Sequence, residues 1–86
     1  MENINDLIAG IIKEVSGISI DRTLYNEDIL SEQIGITPFY LVYIFVSIQD
    51  YFQIKVSDED IMVGKFRTVN KISDIVIKEK HLGYNS

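Results

Sequence analysis

The stretch Thr37-Pro38-Phe39-Tyr40-Leu41-Val42-Tyr43-Ile44-Phe45-Val46-Ser47-Ile48-Gln49-Asp50-Tyr51-Phe52 decides the fold. Threonine caps helices well, and proline fits the first helical position, where its missing N–H costs nothing. Leu41, Ile44, Phe45, Ile48 and Phe52 follow at helical spacing. The pattern predicts a helix from Thr37-Pro38 to about Phe52. On a wheel of 100° per residue, Phe39, Val42, Tyr43 and Val46 gather roughly 155° away from the first stripe, and Tyr40 lies toward the edge of that stripe. This helix is therefore apolar on two opposed faces. One must meet a core, and a small domain has difficulty covering the other.

Working outward, Ile4, Leu7, Ile8, Ile11, Ile12 and Val15 mark one face of an earlier helix, with Asn3 as its cap and Ser16-Gly17 as its stop. Residues 17 to about 36 keep no period. Asp21, Asn26 and Asp28 favour turns there, and Ile18, Ile20, Leu24, Ile29, Leu30 and Ile34 are scattered apolar anchors. This predicts a long ordered loop with one short helical turn. Beyond Phe52, Gln53-Ile54-Lys55-Val56 reads as an extended link, too short to need a sheet partner. Ser57-Asp58-Glu59-Asp60 resembles a capping sequence for a short helix through Ile61-Met62-Val63, ended by Gly64. Thr68 caps a last helix with Val69, Ile72, Ile75, Val76 and Lys80 along one stripe. Lys78, Lys80 and His81 sit near its C-terminus, where positive charge is favourable. Residues 82–86 read as a frayed tail. The expectation is an all-α protein: a small four-helix bundle of three main helices, a short third helix and a long first loop, in one domain over residues 1–86.

Composition agrees with one small globular domain. The chain has 86 residues, is 47% hydrophobic and contains no cysteine. Thirteen acids against eight bases give a net charge of −5, which disfavours phosphate backbones and anionic membranes. No nucleic-acid or membrane partner is expected. The N-terminus lacks the basic start of a signal peptide, and the chain reads as cytoplasmic.

Three pieces resemble the acyl carrier protein and peptidyl carrier domain family, over nearly the whole chain. Ile34-Gly35-Ile36-Thr37-Pro38-Phe39 is similar to the family's Leu-Gly-x-Asp-Ser-Leu segment. Val42 to Phe52 is similar to the helix that follows it. Ile54 to Val69 combines an acidic cap, a phenylalanine and a Thr-Val helix start at the family's spacing. The resemblance implies a four-helix bundle with a long first loop and a short third helix. It also implies that Pro38 stands where carriers hold phosphopantetheine on a serine, and Thr37 where the preceding aspartate would be. Proline has no nucleophile, so no cofactor is expected. Thr37, one residue away, points elsewhere and as an N-cap would have its hydroxyl occupied by backbone N–H groups. Ser31 lies in the loop and Ser47 near the middle of the helix.

The family docks its partners at the start of this helix through acids. Here Tyr40 and Tyr43 replace acids, with Gln49 and Asp50 further on. Thr37, Pro38, Phe39, Tyr40, Val42, Tyr43 and Val46 are the expected partner-binding residues, tyrosine being suited to interfaces. The plain alternative is a helix buried on all sides beneath the long loop. Asp58-Glu59-Asp60 lacks the alternating ligands and glycine of a calcium loop, His81, the only histidine and near the tail, is not expected to act as a ligand or base, and no nucleophile–base spacing is recognisable. Neither a metal site nor an enzyme is expected. The expected function is a non-acylated, carrier-like docking protein in a biosynthetic or peptide-modification pathway. In this it resembles serine-less carrier-like proteins of bacterial peptide-maturation systems, and its expected partner is a pathway enzyme. The alternatives are a true carrier with an atypical attachment residue, a homodimer paired through the aromatic face, and a holder of a small apolar ligand between helices.

Overall fold

A computed structural model of the chain describes residues 3–57, 59, 64 and 66–84, the last four of them as backbone alone. Among the described residues three long α-helices run: α1 (Ile4–Ser16), α2 (Pro38–Phe52) and α3 (Val69–Tyr84). A 3-10 turn over Arg22–Leu24 interrupts the long connection between α1 and α2. There is no strand among the described residues, and no helix of theirs is long and apolar enough to cross a membrane. The protein is all-α.

Local chemistry sets the helix ends. Asn3 caps α1: its side-chain oxygen accepts from the Asn5 N–H at 2.8 Å, satisfying one of the donors a helix start leaves free. Gly17 closes α1 at φ +77°, a left-handed conformation that a side chain would oppose, and its N–H donates to the Lys13 carbonyl at 2.7 Å. Thr68 caps α3, its hydroxyl accepting from the Lys71 N–H at 3.0 Å.

Two expectations need correction. Thr37 has the backbone of a cap but makes no side-chain cap bond. Its carbonyl takes the N–H groups of Tyr40 (3.1 Å) and Leu41 (3.3 Å), so the Tyr40 N–H that a cap hydroxyl would accept is already engaged. The tail expected from residue 82 is helical as far as Tyr84, because a helix once formed gains a hydrogen bond with each residue added. The expected short third helix falls on residues 58–63, which lie outside the described residues except for Glu59, itself helical.

The core is built mainly of isoleucine. Ile8, Ile12, Ile29, Ile44, Ile48 and Ile72 are fully buried, with Val69 and Val76. The α1 helix packs against both α2 and α3. The loop contributes Ile20, Ile29, Ile34 and Ile36 to the same core. Its path is fixed by distant partners. Arg67 pairs with Asp28, the Asn70 N–H donates to the Tyr25 carbonyl at 3.1 Å, and the Asn70 side chain bonds Asn5 and Asn26. From α1, Asp6 joins Arg22 and the Tyr25 hydroxyl in the same stretch of the loop. The Tyr25 bond, and less strongly Arg22, hold the Asp6 carboxyl below its ordinary pKa. Every one of these ties draws the loop toward α1 and the start of α3, which leaves the far side of α2 uncovered.

Candidate interaction surface

Inward, α2 presents Ile44 and Ile48, with Leu41, Phe45 and Phe52 partly buried against the core. Outward it presents Phe39 (67% exposed), Val42 (61%), Tyr43 (52%) and Val46 (54%). Tyr40 is 40% exposed on the flank, and Thr37 and Pro38 are exposed at the start. The structure therefore brings the seven residues singled out in the sequence onto one end and one side of α2, in solvent.

The aromatic residues of this side are ordered by one another. Phe39 meets Tyr43 edge-on at a ring separation of 5.3 Å and Tyr40 at 5.9 Å, an arrangement that ring quadrupoles favour. Asp50 is the one acid on α2. It continues the outward line one turn beyond Val46 and is exposed.

Beside the line lies an apolar cleft of about 140 Å³, walled by Pro38, Leu41, Val42, Phe45 and Phe66. Phe45 and Phe66 pack edge-to-face at 5.4 Å in its wall. A larger cleft of about 230 Å³ opens between α1 and α2, lined by Asp6, Leu7, Gly10, Ile11, Glu14 and Tyr51.

Tyr51 (58% exposed) and Ile77 (54%) are exposed apolar residues missed by the sequence reading. The signal for both was angular: Tyr51 falls roughly 80° from Tyr43 on the wheel, and Ile77 falls off the stripe of Val69, Ile72 and Val76. No protein-family model, curated protein or solved structure matches this chain.

Proposed function

We propose that this protein is a carrier-shaped interaction module, a four-helix bundle of acyl-carrier type that has given up the prosthetic arm and docks on a pathway enzyme. The observation that carries the reading is the exposed line of Phe39, Val42, Tyr43 and Val46 on a helix that opens with Pro38. A contiguous apolar face of this kind marks a binding surface more often than scattered exposed residues do. Its tyrosine and phenylalanine are among the residue types that dominate interface energetics. The resemblance of the surrounding sequence to carriers supplies the frame, and proline at the attachment position removes the carrier's chemistry.

A second reading has one observation in its favour. The Thr37 hydroxyl is exposed and makes no cap bond, so it is free for an atypical attachment. Incubation with coenzyme A and a promiscuous phosphopantetheinyl transferase, read by intact mass, separates the two. The docking module gains no mass; a gain mapped to Thr37 establishes the carrier. Docking itself is tested by affinity capture from the source organism's lysate. A protein retained by the wild type and lost with Tyr43→Glu is the expected result, and identical retention by both removes the surface from consideration.

A further inference from the structure

The outward residues of α2 have a spacing that specifies the shape of what covers them. Phe39, Tyr43, Val46 and Asp50 stand at intervals of four, three and four residues. That is the seam by which two helices pack along one another. It extends over about 16 Å of helix. Three of its positions are apolar, and the fourth is a carboxylate with no bond to another described residue. We infer, building on the docking role above, that the occupant of this face is an amphipathic helix of a different protein, with apolar residues at three- and four-residue spacing and a lysine or arginine opposite Asp50.

Charge and area select this occupant over a second copy of the chain. In a parallel pair of copies Asp50 meets Asp50, and in an antiparallel pair it comes against Phe39. Either places a carboxylate where it has no cation. Both copies also carry a net charge of −5, whereas a cationic helix is drawn to the surface. Taking about 200 Å² for an exposed aromatic side chain and somewhat less for valine, the fractional exposures of Phe39, Tyr40, Val42, Tyr43 and Val46 amount to roughly 400–500 Å². A stable interface of standard size needs about 800 Å² per partner, and obligate dimers need more. The face is sized for one helix in a reversible complex. The adjoining cleft of about 140 Å³ shares Val42 with the seam. An apolar cavity of about 150 Å³ holds a benzene ring, so the cleft takes one anchoring ring or branched aliphatic side chain from the incoming helix.

The test uses a synthetic helical peptide of about 18 residues carrying leucines at seam spacing and a lysine placed opposite Asp50. Its twin has glutamate instead of that lysine. Each is titrated into ¹⁵N-labelled full-length protein. The expected result is amide shift changes centred on residues 38–52, with the lysine peptide binding about twofold to fivefold more tightly than its twin, the range of an exposed ion pair. Asp50→Lys, a surface change that leaves the core intact, reverses the order. Equal binding of the twins to wild type, or shift changes centred on α1 or α3, overturns the inference. So does a wild-type dimer in sedimentation that Tyr43→Glu dissolves. Lysate capture keeps the two levels apart. If Tyr43→Glu loses the captured protein and Asp50→Lys does not, the docking role stands and the cationic helix falls. If neither loses it, both fall.

Discussion

Asp28 and Arg67 form a two-pronged ion pair, with Nε donating to Oδ1 at 3.0 Å and Nη2 to Oδ2 at 2.5 Å. The Ile29 N–H donates to the Arg67 carbonyl at 2.8 Å, so the backbone and side chain of one residue both hold the long loop. The Arg67 guanidinium, opposed by partial burial and helped by the Leu30 N–H, keeps the Asp28 carboxyl below its ordinary value of 3.8. A carboxyl with a lowered folded-state pKa contributes stability above its unfolded value and loses it as pH falls through the folded one. Asp28→Asn is therefore expected to lower the melting temperature at neutral pH, and the gap to wild type is expected to close below about pH 4. The gap is small, because the two side chains are 42% and 41% exposed and water screens the pair. Thermal melts of both proteins from about pH 7 to about pH 2.5 check this; a gap that stays constant over that range rules out the ion pair as its cause.

Alanine is expected to have opposite effects at Gly10, inside the first helix, and at Gly17, just past its end. Gly10 lies inside α1, and a Cβ built there meets nothing within 4 Å. Gly10→Ala removes the entropic penalty of glycine in a helix and is expected to stabilise by about 0.5–1 kcal/mol. Gly17, at φ +77°, is equally uncrowded, but a side chain resists the left-handed backbone. Gly17→Ala is expected to cost about 1–2 kcal/mol. In a domain of this size each kcal/mol moves the melting temperature by about 4–8 °C. Melts of the two variants that shift in the same direction contradict the assignment of these helical positions.

Thr37 and Thr68 occupy the same formal position before their helices and differ in what they do there. The Thr68 hydroxyl accepts the Lys71 N–H at 3.0 Å, so Thr68→Ala is expected to cost about 1 kcal/mol. Thr37 makes no such bond, and Thr37→Ala is expected to fall within about 0.5 kcal/mol of wild type. Chemical denaturation of the two variants gives the comparison directly. A loss at Thr37 as large as that at Thr68 means that its hydroxyl does cap α2, and the case for a free attachment oxygen there ends.

These contrasts mark how far the sequence can be read. The three helices and their buried stripes are legible because periodicity and capping are local: Asn3, Gly17 and Thr68 act within a few residues of themselves. Thr37 misleads because the bond it forgoes depends on which N–H groups its own carbonyl takes. The course of the loop is not legible, since Asp28 and Asn26 find their partners in Arg67 and Asn70, which sequence spacing does not connect. For the same reason the outward face of α2 is ambiguous in the sequence. Its apolar residues are plain, but whether they are covered depends on where the loop is tied, and it is tied to α1 and the start of α3. The cleft of Pro38, Leu41, Val42, Phe45 and Phe66 is hidden likewise, because Phe66 reaches it from beyond the end of α2.

The sharpest division on α2 separates two consecutive residues. Ile44 is fully buried among the core isoleucines, and Tyr43 beside it is 52% exposed. Ile44→Ala removes buried volume and leaves a cavity that close packing cannot fully collapse, with an expected cost of about 2–5 kcal/mol. Tyr43→Glu changes a side chain that meets water and the edge of Phe39, and its expected cost is within about 0.5 kcal/mol. Glutamate near the middle of α2 retains good helix propensity, so the backbone gives no reason for a larger loss. Urea titrations of both variants distinguish a contact face from a structural one: Tyr43 is free to serve a partner only if the fold does not need it. A Tyr43→Glu variant that unfolds as readily as Ile44→Ala shows that the aromatic cluster is part of the core. It then has nothing to offer a docking helix.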